Sequence, residues 1–193
     1  MGPVPFKLLV ITDWAMPVLE IIKETLQAGP GIAVQHRHPG ATDRQFYEEA
    51  ARLREVCGDH PLFINGRLDI ALALDAHLHL TFRSLPPADV RPLLGKRWLS
   101  ASCHPPHHPT GADLLLVSPV FDPISKAPER PELGAHAFKA FAKKSHTRCF
   151  ALGGITIERM KELGPVAGVA VIGEIMHATH PAHAAEALLR ALE

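Results

Sequence analysis

The stretch RCFALGGITIERMKELGPVAGVAVIGEI, residues 148–175, decides the fold of this chain. It contains a run of apolar, strand-forming residues that ends in a double glycine, then a helix-favouring segment, then a second apolar run that ends in a single glycine. A buried strand followed by a glycine turn and an amphipathic helix is typical of one β/α unit of a parallel sheet. The stretch therefore predicts at least two consecutive β/α units.

The same alternation runs through the rest of the chain. Short apolar runs occupy residues 7–12, 32–37, 61–65, 77–81, 97–103, 113–118, 148–154 and 168–173, and helical patterns are clearest over 16–29, 42–58, 134–145, 156–164 and 181–193. An open doubly wound sheet seldom has so many short strands without an antiparallel edge. We therefore predict a compact (β/α)₈ TIM barrel that forms a single domain over residues 1–193.

Composition narrows the class of function. The chain is 47% hydrophobic and 21% charged, as expected of a globular domain with a full core. Its 20 basic and 20 acidic residues balance, so no net field attracts nucleic acid or an anionic membrane surface. We expect a small-molecule partner, with no nucleic acid and no membrane.

Cysteines and histidines do not indicate a metal or disulfide framework. The three cysteines contain no CxxC pair, which argues against a zinc ribbon and favours a reducing cytoplasm. The chain has neither a membrane-length apolar segment nor the basic start of a secretion signal. The thirteen histidines include HPPHHP at 104–109, but they lack a ligand spacing such as HExxH. We predict a cytoplasmic protein without a histidine-bound metal.

Function is expected where the strands end, because the active sites of TIM barrels lie at the carboxyl ends of their strands. The polar residues at these predicted ends are Thr12, Asp13, Gln35, Arg37, His38, Asn65, His79, Thr81, Ser102, His104, Ser118 and Glu174. Arg37 is a candidate for binding an anion, or else a rim arginine paired with an acid. Asn65 can hydrogen-bond a substrate or form a turn into Gly66. His79 lines the barrel, or is a satisfied core histidine.

Two glycine turns at the last two strands predict a phosphate site. Gly153 and Gly154 follow the seventh strand and Gly173 follows the eighth, and each turn leads into a helix. Main-chain amides at such turns bind phosphate in this class of barrel. Taken alone, each glycine can serve backbone geometry only, so the pair of turns carries the prediction.

The long segment SPVFDPISKAPERPELG at 118–134 contains four prolines and has no periodicity. Loops of this length are usually functional or disordered.

Eight pieces of the sequence, taken in their order along the chain, carry a resemblance to a known family. They are LLVITD (8–13), VQHR (34–37), LFINGRLDIALAL (62–74), HLHL (77–80), SCH (102–104), GADLLLVSPVFDPISK (111–126), LGGIT (152–156) and GVAVIGEI (168–175). In that order they resemble the family of thiamine phosphate synthase and the TenI-type thiazole tautomerase. The resemblance implies a barrel that binds a phosphorylated thiazole through the backbone of Gly154, Ile172 and Gly173. It also implies that Lys126 contacts the diphosphate of a pyrimidine substrate, on a loop that closes as a lid. The alternative is a surface loop with a solvated lysine.

The chain departs from the synthase pattern at its magnesium ligands. The resemblance places an Asn-Asp pair where this chain has Asn65-Gly66, and an acidic residue where it has Arg83 and Ser84. Magnesium prefers carboxylate and phosphate oxygens, so the expected metal anchor is missing. A lysine of the synthase pattern is Pro39 here. The Asn-Gly-Arg form resembles the tautomerase, which needs no metal or other cofactor.

These features leave three hypotheses. The first is a TenI-like protein that moves a proton on thiazole phosphate, with Arg37 and Asn65 in the site. The family's GHVF histidine is Pro119 in this chain, so His104, His79 or His38 is the candidate proton carrier. The second is a divergent synthase that uses Mg²⁺ and retains Lys126, Arg37 and Ser102, with Gln35 also at the substrate. The third is a non-catalytic thiazole phosphate-binding protein.

The fifth β/α unit has no room for a helix. Between SCH and GAD the chain has only PPHHPT, residues 105–110, and prolines disfavour a helix there. We predict a shortened or missing fifth helix, whose absence would leave a surface available for a homo-oligomer contact.

Overall fold

Eight parallel strands close into a barrel in the order of the chain. The computed structural model describes residues 4–122 and 131–193. The strands are β1 Leu8–Ile11, β2 Ile32–His36, β3 Leu62–Asn65, β4 His77–Leu80, β5 Leu99–Cys103, β6 Leu114–Val117, β7 Arg148–Leu152 and β8 Val169–Val171. Each strand pairs with the next, and β8 pairs with β1 in parallel. The predicted TIM barrel and all eight of its strands are confirmed.

The helices lie between the strands, as a β/α barrel requires. They are α1 Val18–Thr25, α2 Asp43–Cys57, α3 Leu68–Ala73, α4 Pro87–Leu94, α5 Ala135–Lys144, α6 Ile157–Leu163, α7 Gly173–Met176 and α8 Pro181–Ala191, with a 3-10 turn at Leu26–Ala28. The five helical segments expected from the sequence are confirmed. Residues 104–113 between β5 and β6 contain no helix, so the fifth unit lacks one, as predicted.

Three helices were not expected from the sequence. The helix α3 spans six residues and α7 spans four, too short for an apolar stripe to repeat. The helix α4 contains Pro87 in its first turn and Pro92 in its interior. Proline removes a backbone donor from a helix interior, so the sequence pattern there did not indicate a helix.

Alternation along each strand separates two buried layers. One layer faces the helices and includes Leu8, Val10, Ile32 and Val34. The other fills the barrel interior and contains Leu9, Ile11, Ala33, Phe63, Leu114, Leu116, Phe150 and Ala170, with Val4 and Phe6 below them. Phe6 makes edge-to-face contacts with Phe63 and Phe150, at ring-centroid distances of 5.7 and 5.6 Å. The amino-terminal end is therefore packed, and the other end is left to bind ligands.

Two helices begin at a threonine whose side chain caps the first turn. The hydroxyl of Thr42 accepts from the amide of Gln45, and that of Thr156 accepts from the amide of Arg159, each at 3.3 Å. Such caps contribute about 1 kcal/mol each. The cap at Thr156 fixes where α6 begins, directly after the double glycine.

None of the helices within the described residues combines the length and apolar character that crossing a membrane requires.

Two buried histidines, His36 and His79, and the half-buried His77 have lowered pKa values. Burial lowers the pKa of His36 and of His77 to about 4, and that of His79 to about 3, from an ordinary value of 6.5. Because the folded-state pKa values are depressed, their contribution to stability is fully present above about pH 6.5 and is lost as the pH falls toward 4 and 3.

We predict that the free energy of unfolding falls between about pH 6.5 and pH 5, where few carboxylates titrate. Each buried histidine contributes up to about 1.4 kcal/mol per pH unit. The substitution His36→Gln removes one group that takes up a proton on unfolding. The free energy of unfolding therefore changes less steeply with pH, by up to about 1.4 kcal/mol per pH unit. Urea unfolding at three pH values measures both slopes. Stability that does not change between these pH values would contradict the buried, neutral histidines.

Candidate active site

The carboxyl ends of the strands bring a polar cluster together inside the mouth of the barrel. Gln35, Asn65, His79 and Ser102 come from the ends of β2 to β5, as the sequence predicted. The side-chain amide of Gln35 donates from Nε2 to Oδ1 of Asn65 at 3.3 Å. His79 lies 2.9 Å from the hydroxyl of Ser100 and 3.0 Å from that of Ser102. Four neighbouring strands therefore contribute to one polar surface.

Gln35 retains an unused acceptor in this cluster. The residue is 2% exposed, and its Oε1 is buried without a hydrogen-bond partner among the described residues. Buried polar atoms of native proteins almost always have a partner. The unpaired oxygen can thus accept a hydrogen bond from a donor on a bound molecule.

The protonation of His79 follows from its neighbours. Ser100 donates its hydroxyl to the carbonyl of Leu78 at 3.4 Å, so it accepts from Nδ1 of His79. The other ring nitrogen, Nε2, then accepts from the hydroxyl of Ser102. Burial, followed by the charge of Arg37, lowers the pKa of His79 to about 3. The structure therefore favours a neutral, orienting role for His79 over the proton-carrying role that the sequence suggested.

This arrangement also limits Ser102. Its single hydroxyl proton is directed to His79, so its remaining capacity toward a ligand is as an acceptor. An acceptor does not bind diphosphate oxygens. The anion-binding role that the sequence suggested for Ser102 stays a prediction, which requires the other tautomer of His79.

Arg37 presents its charge at the mouth. The hydroxyl of Thr12 on the β1 end accepts from the amide of Arg37 at 2.9 Å and donates to its carbonyl at 3.1 Å. This pair of bonds fixes the backbone of Arg37 while its side chain is exposed. Among the described residues, no carboxylate or carbonyl accepts from its guanidinium. The charge of Arg37 contributes to the lowered pKa of His79, and within the described residues Arg37 is not paired with an acid on the rim.

His38 lies away from the cluster. Its Nδ1 is 2.8 Å from a carboxylate oxygen of Glu49 on α2, and its ring stacks on Trp14 at a centroid distance of 5.8 Å. Side chains alternate along β2, so His38 packs toward α2 while Arg37 faces the mouth. The structure therefore does not bring His38 to the residues inside the barrel.

His104 lies on the rim after β5. Its Nδ1 contacts the carbonyl of Ser118, and its ring packs against Phe82 at 4.6 Å. A carbonyl only accepts hydrogen bonds, so Nδ1 carries the proton and Nε2 is left as an acceptor. Among the described residues, Nε2 of His104 has no partner, as is also true of Nε2 of His38, whereas both ring nitrogens of His79 are hydrogen-bonded.

The two glycine turns adjoin one another, as predicted. The strands β7 and β8 are paired, and the carboxylate of Glu174 accepts from the amide of Ile157 at 3.1 Å, joining the start of α7 to the start of α6. Among the described residues, the amides of Gly154, Ile172 and Gly173 donate to no protein acceptor. Unpaired backbone amides are rare in native proteins. Their grouping at two adjacent turns provides donors for an anion.

The two turns differ in the space around them. A Cβ atom on Gly154 would lie 2.5 Å from the carbonyl oxygen of Asp122, and φ there is +57°. A Cβ atom on Gly173 would meet nothing within 4 Å. Gly154 is therefore required by packing, whereas Gly173 faces open space where a ligand can approach.

The strand ends do not fit a magnesium site of the kind that the resemblance implied. After β3 the chain continues with Asn65 and Gly66, and after β4 the hydroxyl of Ser84 accepts from the amide of Thr81 at 3.1 Å. Neither loop brings a carboxylate to the mouth. Within residues 4–122 and 131–193, no three histidine, cysteine, aspartate or glutamate side chains are grouped to hold a metal ion.

The lysine expected on the loop after β6 lies outside the described residues. The structure describes this loop up to Asp122 and again from Pro131. The role of Lys126, and the lid to which it was assigned, therefore stay predictions.

Comparison with known proteins identifies the family. Residues 8–175 match the sequence profile of the thiamine monophosphate synthase family. The chain belongs to this family. It is 36% identical over 197 residues to a protein of Parasynechococcus marenigrum named thiamine-phosphate synthase, and 34% identical over 189 residues to one of the same name from Syntrophomonas wolfei.

These relatives differ in length. The alignments cover 96% and 90% of this chain, but 56% of the Parasynechococcus protein and 90% of the Syntrophomonas protein. The chain thus spans about half the length of the cyanobacterial relative and most of the other.

Solved structures support the same grouping. A thiamine phosphate pyrophosphorylase from Pyrococcus furiosus superimposes with a TM-score of 0.82 at 27% identity, covering 97% of this chain and 95% of that one. A 3-hexulose-6-phosphate synthase superimposes with a TM-score of 0.70 at 14% identity and shows the shared barrel fold alone.

Two residues of the site were not found by sequence reasoning. Ser100 lies inside β5, and nothing in its pattern shows that it faces His79 across the barrel. Arg159 lies in the first turn of α6 and reaches back to the carbonyl of Gly154 at 2.8 Å. The only signal in the sequence was a basic residue shortly after the double glycine.

We predict that Gly173→Asp abolishes binding of thiazole phosphate while the fold is retained. The new side chain meets no protein atom, so the free energy of unfolding changes by less than about 0.5 kcal/mol, but its carboxylate repels the phosphoryl group. Gly40→Asp is the matched control, since a Cβ atom there also meets nothing within 4 Å. Isothermal titration calorimetry measures both affinities. Equal affinity of the two variants would exclude a phosphate site at Gly173.

Proposed function

We propose that the protein couples a pyrimidine diphosphate to a thiazole phosphate, forming thiamine phosphate and releasing diphosphate. The observation that carries this proposal is the presence of two separate groups for anions at one mouth. The unpaired amides of Gly154, Ile172 and Gly173 form the first, at the ends of β7 and β8. The exposed guanidinium of Arg37, at the end of β2, is the second.

The first group suits a monophosphate ester. The amides come from two paired strands, so donors approach a single phosphoryl group from two sides. The open space at Gly173 leaves room for the ester. We assign the thiazole phosphate to this position, in agreement with the role of the glycine turns in this class of barrel.

The second group suits the leaving diphosphate. A guanidinium that is always charged and has no partner within residues 4–122 and 131–193 can donate two parallel hydrogen bonds to phosphate oxygens. Negative charge develops on the diphosphate as its bond to the pyrimidine breaks, so a fixed cation there stabilises the transition state. Thr12 holds the backbone of Arg37 in place for this contact.

The polar cluster between these groups orients the organic parts of the substrates. Gln35 offers its unpaired Oε1 as an acceptor, and its amide is held by Asn65. The hydrogen-bonded side chains of Ser100, His79 and Ser102 are neutral, so they add no charge between the two anions. Preorganised polar groups in a largely apolar barrel align the reacting atoms at little entropic cost.

A thiazole tautomerase is the second candidate, and His104 is the observation that favours it. Its Nε2 is an acceptor at the rim, as a general base requires. In that reaction Arg37 binds the carboxylate of the thiazole carboxylate phosphate. The relatives named thiamine-phosphate synthase support the coupling reaction better. A protein that only binds thiazole phosphate is the third possibility.

We predict formation of thiamine phosphate when the purified protein is incubated with both substrates in a buffer that contains Mg²⁺. Chromatography of the fluorescent oxidised product measures the rate. Proton exchange on the thiazole carboxylate phosphate, followed by NMR with no coupled product, would contradict the proposal and favour the tautomerase. Tight thiazole phosphate binding without either reaction would favour the non-catalytic protein.

We predict that Arg37→Gln lowers kcat/KM for the pyrimidine diphosphate about 100-fold, because loss of a fixed charge at a leaving group costs about 3 kcal/mol. Binding of thiazole phosphate alone is unchanged, since its site is built from other strands. Arg44→Gln is the control, because Arg44 is exposed and pairs only with Glu48. Steady-state kinetics with each substrate varied in turn measures the effect. An unaffected rate in Arg37→Gln would remove this residue from the diphosphate site.

A further inference from the structure

Three successive carbonyl groups of the turn after β7 are held from one side. The carbonyl of Leu152 accepts from the amide of Val120 at 2.9 Å, and that of Gly153 accepts from the amide of Phe121 at 3.1 Å. The carbonyl of Gly154 accepts from Nη1 of Arg159 at 2.8 Å. Two of these donors are backbone groups after β6, and the third is a side chain.

The direction of these carbonyls sets the direction of the amides. In a planar trans peptide the C=O and N–H bonds point opposite ways. The amides of Gly153, Gly154 and Ile155 therefore point away from the groups that bind the preceding carbonyls. Among the described residues, none of the three amides has a protein acceptor, although Ile155 is only 6% exposed. Successive amides that share a side form a cavity suited to an anion.

Glycine alone cannot hold this orientation. The φ angles of Gly153 and Gly154 are +98° and +57°, within the wide range that glycine occupies at low cost. A turn of two glycines has many alternative conformations, so the three hydrogen bonds must select one. The bond from Arg159 is the last of them, and it fixes the peptide that carries the Ile155 amide.

Arg159 is well placed for this task. Its Nη1 carries two hydrogens, one directed to the carbonyl of Gly154 and the other to that of Asp122 at 2.9 Å. The guanidinium also lies over the ring of Phe121, 5.3 Å from the centroid. The residue therefore joins the glycine turn to the segment that follows β6. The Thr156 cap, which accepts from the Arg159 amide, fixes the backbone from which the side chain reaches back.

Glu174 limits which amides remain for the ligand. Its carboxylate accepts from the amide of Ile157, the first residue of α6. The amide of Ile157, two residues beyond Ile155, is thus already occupied, which leaves the amides before it for a phosphoryl group. The geometry of that turn, rather than the end of α6, then decides affinity.

We propose that Arg159 is a positioning residue of the phosphate site, which holds the Gly154 carbonyl so that the turn amides face the phosphoryl group of the thiazole substrate. This inference rests on the proposed function for the identity of the ligand. Arg159 acts through the turn and does not itself contact the phosphate. Its loss therefore affects recognition of phosphate and leaves recognition of the pyrimidine diphosphate intact.

The test compares Arg159→Gln and Arg159→Lys with Arg54→Gln. Arg54 is a matched control, because its Nη2 also donates to two carbonyls, those of Gly58 and His60, in the loop before β3 at the other end of the barrel. Isothermal titration calorimetry with inorganic phosphate and with thiazole phosphate gives the affinities. Thermal unfolding gives the stability, and steady-state kinetics gives KM for each substrate.

We expect Arg159→Gln to weaken the binding of both phosphate ligands at least about tenfold and to raise KM for thiazole phosphate by a similar factor. KM for the pyrimidine diphosphate is unchanged, and Arg159→Lys restores part of the affinity. Arg54→Gln loses a similar amount of stability without losing phosphate affinity. Wild-type affinity in Arg159→Gln, or equal losses of affinity in Arg159→Gln and Arg54→Gln, would overturn the inference.

The affinity measurement separates this inference from the proposed reaction. Because it uses no pyrimidine substrate, it reports on the turn even if the protein forms no thiamine phosphate. If no thiamine phosphate forms, the proposed reaction is contradicted. If Arg159→Gln nevertheless loses phosphate affinity tenfold, the positioning role is supported. Absence of phosphate binding by the wild-type protein overturns both.

Discussion

The backbone of the double-glycine turn lies so close to the backbone after β6 that no side chain fits between them. A Cβ atom on Gly153 would lie 2.9 Å from Cα of Pro119, and one on Gly154 would lie 2.5 Å from the carbonyl oxygen of Asp122. This contact is possible only for glycine, and it draws the carbonyls of the turn toward the segment after β6. The amides are left facing the other way, where a phosphoryl group can bind. The proposed phosphate site is thus a consequence of backbone packing between two strand ends.

Closure of the barrel places the remaining parts of the site. Because β8 pairs with β1 and β1 pairs with β2, the glycine turns and Arg37 belong to one ring of strand ends. The barrel interior between them is apolar or neutral, with His79 uncharged through burial. Fixed donors in such a setting interact more strongly with phosphate oxygens than they would in water. The arrangement supports two anionic substrates at one mouth.

Much of this architecture could be predicted from the sequence because local signals and the fold agree. Eight apolar runs that end in turns were sufficient to predict the eight strands. The proline-rich segment at 105–110 was sufficient to predict that the fifth helix is missing. The helix α4 was missed because Pro92 lies inside it. Strand alternation placed His79 inside the barrel, but its low pKa depends on burial and on the charge of Arg37, which only the closed structure provides. Arg159 was missed because it contacts Asp122, which is distant in the sequence.

A crystal structure of the protein with thiazole phosphate tests the central claim most directly. The account predicts density for the phosphoryl group with oxygens about 3 Å from the amide nitrogens of Gly154 and Gly173. It also predicts that the Gly154 carbonyl still accepts from Arg159. A phosphoryl group bound elsewhere in the mouth, with both turns unliganded, would contradict it.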